Sequence, residues 1–357
     1  MTQLEYESKM MNFCGSCFLS IRWLSALVVL AHFPLASAQS CITPDNTTRV
    51  TGNAECFAIR TEAPVSLPQA PVLVVWIHGD VSSGGAADYM DEYLPSFAAP
   101  DVVHVRLLRP GYFDSAMPPN TSSGTTFTPR GASWTPDYID AAANAISNLR
   151  THHSARYVVV VGHSGGAIYS SVILGRQPGL IDASLLVSTP GDLCVWRAPA
   201  LCGFVRPVLN PIDFIATIPR SAKLIALVGS NDPNTRPPVV QDYVSRAQAA
   251  GVDISYVEIA GGEHGFGTVA RNQPQFNAAL RSLIAAAPAL PAKPVPTLPL
   301  IPQTLLLVAL LLIGLARVRG DGLYFARKNE GIHDKLSSTY GQVDPAVPED
   351  VTATVGM

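Results

Sequence analysis

The sequence predicts an α/β fold, a mostly parallel twisted sheet with helices on both faces. Three observations predict it. Short unbroken apolar runs rich in β-branched residues recur through the middle of the chain, as in Val72-Leu-Val-Val-Trp-Ile77 and Val158-Val-Val-Val161. Helical patterns alternate with them. A glycine-rich turn, Gly162-His-Ser-Gly-Gly166, joins one such run to one such pattern. Unbroken rather than alternating apolar runs suit strands covered on both faces.

The expected strands are Val72 to His78, Val102 to Leu108, Tyr157 to Val161, Ala183 to Ser188, Lys223 to Val228 and Ile254 to Ile259. Between them, Asp137 to Arg150 carries Ile139, Ala142, Ala143, Ile146 and Leu149 at helical spacing, with Thr135 as cap and Pro136 in the first turn. Ala167 to Leu174 reads as a helix stopped by Gly175, and Val239 to Ala250 as one stopped by Gly251. Phe276 to Ala286 closes the domain. The stretch from Pro190 to Pro219 breaks this rhythm. It is rich in proline and carries Cys194, Trp196, Cys202 and Phe204. We read it as a small cap or lid over the strand ends; the alternative is a long surface loop.

Two apolar blocks flank this domain of residues 39–288. Arg22, the run Trp23 to Phe33 and Ala36-Ser37-Ala38 have the charged flank, apolar core and small-residue site of a secretory leader over 1–38. Glu5 and Glu7 are unusual in such a leader, and Met10 and Met11 offer later starts. A short N-terminal anchor is the alternative reading. Cys41 lacks a lipoprotein box, because Gln39 stands where a small residue is wanted. At the other end a Pro- and Ala-rich linker, 289–302, leads to a charge-free block. Leu305 to Ala316 within it is almost purely aliphatic, and Arg317, Arg319, Arg327 and Lys328 follow. This reads as a transmembrane segment over 303–319 with a cytoplasmic polar tail, 320–357. The expected location is therefore outside the cytoplasm, anchored at the cell envelope or surface. Cys41, Cys56, Cys194 and Cys202 remain after the leader, and an even number in an exported chain suggests disulfides. Cys41–Cys56 and Cys194–Cys202 are the local pairings among the three connectivities. Asn46-Thr-Thr and Asn120-Thr-Ser are glycosylation sequons.

With 24 Lys+Arg against 27 Asp+Glu, the charge is near balance and forms no basic patch, so nucleic-acid binding has no support. No Cys-x-x-Cys metal spacing survives beyond the leader. The chemistry concentrates in Gly162-His-Ser164-Gly-Gly166, a G-x-S-x-G pattern with a strand running in and a helix running out. That context makes the pattern specific, because the sharp turn exposes the serine hydroxyl at the carboxyl edge of the sheet. Ser164 is the candidate nucleophile. A serine hydroxyl needs a base. His264 and His333 are the histidines that follow it, and His333 lies beyond the apolar block. His264, in Gly261-Gly-Glu-His-Gly-Phe-Gly267 after the last strand, is the candidate base. Asp232, in Gly229-Ser-Asn-Asp-Pro233, is the candidate acid that orients it, and Asp192 is the runner-up. The expected oxyanion donors are the backbone N–H groups of Gly165 and of Asp80, in Trp76-Ile-His-Gly-Asp80. The Asp80 carboxylate must then point away or bind a cationic substrate group. His78 and His163 are read as structural.

His78-Gly79, Arg109-Pro-Gly-Tyr-Phe-Asp-Ser115, Gly162-His-Ser-Gly-Gly166, Asp232 and His264 together resemble the α/β-hydrolase superfamily over about residues 72–288. The resemblance implies an esterase, lipase or peptidase, generally working without a cofactor. Two departures stand out: the oxyanion loop lacks the His-Gly-Gly-Gly run of one esterase and lipase group, and Leu108-Arg-Pro-Gly replaces the usual acid–x–Arg–Gly. The expected activity is cleavage of a carboxylic ester, the partner being a small-molecule ester or a short peptide. A peptidase or amidase with the same triad is the first alternative, and Asp80 or Asp88 would hold a substrate amine. A catalytically inactive cell-surface binding domain is the second.

Overall fold

The computed structural model describes residues 44–66, 70–126, 134–197 and 208–290, with Val308 and residues 310–312 apart from these. Its strands are β1 (Arg49–Gly52), β2 (Glu55–Glu62), β3 (Val72–Ile77), β4 (Val102–Leu107), β5 (Tyr157–His163), β6 (Ala183–Val187), β7 (Lys223–Gly229) and β8 (Asp253–Ile259). They form one sheet in the order β1-β2-β4-β3-β5-β6-β7-β8. The pairs β1–β2 and β2–β4 are antiparallel, and every other neighbouring pair is parallel. Every residue of β3, β4, β5 and β6 is buried. The period of two explains the double cover: Leu73, Val75 and Ile77 face one apolar layer, while Val72, Val74 and Trp76 face the other.

The helices are α1 (Pro136–His152), α2 (Gly165–Arg176), α3 (Leu193–Arg197), α4 (Pro237–Ala249), α5 (Phe266–Ala270) and α6 (Pro274–Ala285). Apolar residues of α1, α2 and α4 fill the first layer. The 3-10 turn Asp91–Phe97, α5 and α6 fill the second. The six expected strands are therefore present, five with ends within one residue and β5 running two residues past Val161 to His163, on the expected α/β plan.

Several local expectations need correction. The hairpin β1–β2 was not anticipated. Its tight turn uses Asn53 at φ 51°, a left-handed conformation that asparagine tolerates. Gly175 does not stop α2, which runs on to Arg176. A Cβ at Gly175 would lie 2.2 Å from the Phe214 carbonyl oxygen, so glycine there lets the 3-10 turn Pro211–Thr217 pack against the helix. Thr135 holds the N-cap position of α1 but makes no side-chain capping bond, and Pro136 begins the helix as expected. Of the segment 190–219, residues 198–207 lie outside the described ones. Its described parts are built into the core through Leu193, Ile215 and Ile218.

The leader 1–38, the segment 303–319 apart from the few residues named above, and the tail 320–357 lie outside the described residues. Among the described residues no helix is long and apolar enough to cross a membrane. Cys56 and Cys194 are each disulfide-bonded. Cys41 and Cys202 lie outside the described residues, so the pairings stay expectations.

Candidate active site

Ser164 sits where β5 turns into α2, at φ 50° and ψ −112°. A non-glycine residue there is strained, and such strain persists only when its surroundings impose it. Here they do. The Ser164 N–H donates to the Val187 carbonyl at 2.8 Å, and the Ser164 carbonyl accepts from Ala167 and Ile168 at 3.0 and 3.2 Å. Behind it, a Cβ at Gly166 would fall 2.0 Å from the Ile77 carbonyl oxygen, so only glycine lets α2 start this close to β3. The turn thus aims the hydroxyl at the start of a helix, where backbone N–H groups point outward and the potential is positive.

The loops after β7 and β8 bring the other two candidates to it. His264 Nε2 is 3.1 Å from Ser164 Oγ. His264 Nδ1 is 2.9 and 3.1 Å from the two Asp232 carboxylate oxygens. A carboxylate accepts, so Nδ1 carries the proton and donates, leaving the Nε2 lone pair towards Ser164. Asp232 Oδ1 also accepts from the Asn234 and Thr235 N–H groups at 2.9 and 2.7 Å. Burial alone would raise its pKa. The bonds it accepts from His264 and Thr235 outweigh burial and hold it below the ordinary carboxylate range. The two loops are laced together: Asn231 N–H donates to the Gly262 carbonyl at 2.8 Å and Gly261 N–H to Ser230 Oγ at 2.8 Å. Phe266, just beyond His264, packs edge-on against Tyr93 and Phe276. Asp192, the runner-up acid, is occupied elsewhere. Its Oδ1 accepts from the Cys194 N–H at 2.9 Å and the Asn210 amide at 3.1 Å, capping a turn.

The loop after β3 passes beside the nucleophile, close enough that a Cβ at Gly79 would be 3.0 Å from Ser164 Cβ. Asp80 follows. Its Oδ1 accepts from Arg109 Nη1 at 2.8 Å and from the Tyr112 hydroxyl at 3.3 Å. Arg109 is wholly buried, with its guanidinium 5.2 Å from the Tyr112 ring centre and 4.9 Å from that of Tyr169. The pair abuts the first residue of α2: a Cβ at Gly165 would meet Arg109 Nη1 at 2.5 Å and Asp80 Oδ1 at 2.7 Å. The structure therefore brings the two expected oxyanion residues together. It also gives Asp80 an internal cation. Asp88, likewise weighed for amine recognition, accepts from the Ser115 N–H at 2.8 Å and hydroxyl at 2.5 Å.

His78 braces this loop, as expected. Its Nε2 accepts from the Arg109 N–H at 3.0 Å, so Nδ1 carries the proton and donates to the Gly79 carbonyl at 2.6 Å. Burial, then the Arg109 charge, push its pKa well down and keep it neutral. Sequence reasoning missed the pairing of Arg109 with Asp80, and it missed Tyr89 altogether. Among the described residues no group of three or more His, Cys, Asp or Glu is placed to hold a metal ion.

No protein family matches the sequence, and no curated protein does. Solved structures do match. A puromycin-hydrolyzing peptidase from Mycobacterium tuberculosis is 17% identical, with TM-score 0.52, over 74% of this chain and 43% of its own. An acylaminoacyl peptidase from Pyrococcus horikoshii is 12% identical, with TM-score 0.52, over 69% of this chain and 42% of its own. An esterase from Pyrococcus furiosus is 15% identical, with TM-score 0.50, over 66% of this chain and 90% of its own. The sheet order, the strand-to-helix turn at Ser164 and these likenesses agree, and the chain has the α/β-hydrolase fold.

Proposed function

We propose that this protein is a serine hydrolase that cleaves a carboxylic ester through an acyl-Ser164 intermediate. The reading is carried by the continuous chain from Asp232 through His264 to Ser164, at 2.9 and 3.1 Å. In this reading His264 Nε2 takes the hydroxyl proton as Oγ attacks the substrate carbonyl. The carbonyl oxygen becomes an oxyanion, held by the N–H groups of Gly165 and Asp80. Collapse expels the alcohol, which leaves with the proton from His264. Water then gives a proton to His264 and attacks the acyl carbon, and collapse returns the proton to Ser164 and releases the acid. Asp232 fixes the tautomer throughout and stabilises the imidazolium. The ester is favoured over a substrate with a free amine because Asp80 and Asp88 are already bonded internally.

The test is turnover of p-nitrophenyl acetate and of aminoacyl p-nitroanilides by the full chain beside Ser164→Ala. Ester cleavage that falls by about 10⁴-fold or more in the variant supports the reading. Turnover of the anilides alone replaces it with a peptidase. No Ser164-dependent turnover of either leaves an inactive binding domain. Export and anchoring through 303–319 belong to the same proposal and rest on the sequence pattern alone; protease shaving of intact cells that spares the chain would overturn them.

A further inference from the structure

The mechanism above uses one histidine of the site and leaves a second, whose ring centre lies 5.4 Å from it. His163 directly precedes the nucleophile, is 6% exposed, and has both nitrogens engaged. The Gly79 N–H meets the Tyr89 hydroxyl oxygen at 2.6 Å. Tyr89 Oη is 2.6 Å from His163 Nδ1, and His163 Nε2 is 2.9 Å from the His264 carbonyl oxygen.

The direction of every bond in this series is fixed by its ends. A backbone N–H only donates, so Tyr89 accepts from Gly79 and turns its own proton to His163 Nδ1. Nδ1 is then the acceptor, and Nε2 carries the hydrogen that the His264 carbonyl receives. Burial, followed by the neighbouring His264, lowers the His163 pKa to about 3, which leaves the ring neutral and this tautomer in place. One end of the series is the loop that carries Asp80. The other is the backbone of the base. In the middle stands the residue joined by a peptide bond to Ser164.

We propose that Tyr89 and His163 are positioning residues that hold the oxyanion loop and His264 in register across Ser164. This rests on the serine hydrolase reading. The Gly79 N–H is consumed by Tyr89, which sets the orientation of the next peptide, whose N–H belongs to Asp80. The His264 carbonyl is tethered independently of the imidazole. Each reactive group is therefore restrained from its own backbone, and a misplacement of about 1 Å in such a site costs up to about a hundredfold in rate.

The test is steady-state hydrolysis of p-nitrophenyl acetate by the full chain, wild type and Ser164→Ala beside Tyr89→Phe, His163→Asn, His163→Gln and the Tyr89→Phe/His163→Asn pair, with thermal melting of each. Phe keeps the ring packing and deletes only the hydroxyl. Asn retains an acceptor near Nδ1 but falls short of the His264 carbonyl, which Gln can reach. The expected result is a fall in kcat of about tenfold for Tyr89→Phe and His163→Asn with KM within about twofold, partial recovery in His163→Gln, and a double variant no worse than the poorer single. A kcat within about twofold of wild type in Tyr89→Phe, whatever its melting temperature, overturns the proposal, and that variant decides if His163→Asn does not fold. Failure of the hydrolase reading looks different: wild type itself then shows no Ser164-dependent turnover, and the positioning role falls with it.

Discussion

Two aspartates stand in loops that converge on Ser164, and their partners differ in kind. Asp232, after β7, bonds to His264, the imidazole whose other nitrogen faces Ser164 Oγ. Asp80, after β3, bonds to Arg109, which is charged at every accessible pH and wholly buried. In the proposed reaction one pair changes state; the other is a fixed strut that sets a cation against a carboxylate beside the expected oxyanion position. A carboxylate near a nucleophile is thus assigned a role by its partner, not by its distance.

Breaking the two pairs should give different kinds of loss. The largest effect belongs to the switchable pair. Asp232→Asn keeps an oxygen for the Asn234 and Thr235 N–H groups but turns an NH2 donor to His264 Nδ1, which reverses the imidazole tautomer, and kcat for p-nitrophenyl acetate should fall by about 10⁴-fold, with little change in unfolding free energy relative to that loss. The fixed pair should register in stability. Arg109→Met strips the partly buried Asp80 carboxylate of its cation and should cost about 3 kcal/mol in urea unfolding. Asp80→Asn in the same chain should recover a substantial part, because both charges are then gone. Additive losses in that double variant would show the pair is not coupled.

A smaller effect comes from His163, whose folded pKa of about 3 lies below the ordinary histidine value. The unfolded chain therefore binds a proton that the folded chain refuses. Stability is fully present above about pH 6.5 and is lost as the pH falls towards 3. Between pH 7 and 4.5 this one ring should account for about 2 kcal/mol, so His163→Asn should flatten the acid limb of unfolding free energy by that amount. His78, lowered by burial and Arg109, contributes with the same sign. The smallest effect is the control: Lys223 and Asp253 pair at 2.9 Å with side chains 51% and 60% exposed, and Lys223→Ala should change stability by about 0.5 kcal/mol or less.

How much of this was legible in the sequence follows from what each feature depends on. The parallel strands were readable because burial on both faces demands unbroken apolar runs, as in Val72–Ile77. The hairpin β1–β2 was not, since β2 offers only Cys56, Phe57, Ala58 and Ile59 as buried residues between polar flanks. Ser164, His264 and Asp232 could be named from a local turn pattern and from chain order after it. The Asp80–Arg109 bond could not, because it depends on side-chain directions set by the β3–β4 pairing, and both residues carry motif readings that do not mention each other. Tyr89 belongs to no motif. Gly175 misled because glycine marks a helix end in isolation, whereas here it marks a contact with Phe214.

The central claim is that His264 activates Ser164 alone. It is tested most directly by treating the full chain with a fluorophosphonate at neutral pH and locating the adduct by peptide mass spectrometry. The account predicts a single adduct on the peptide bearing Ser164, formed far more slowly in His264→Ala. An unlabelled Ser164 in folded protein, or labelling that proceeds at the same rate without His264, would contradict it.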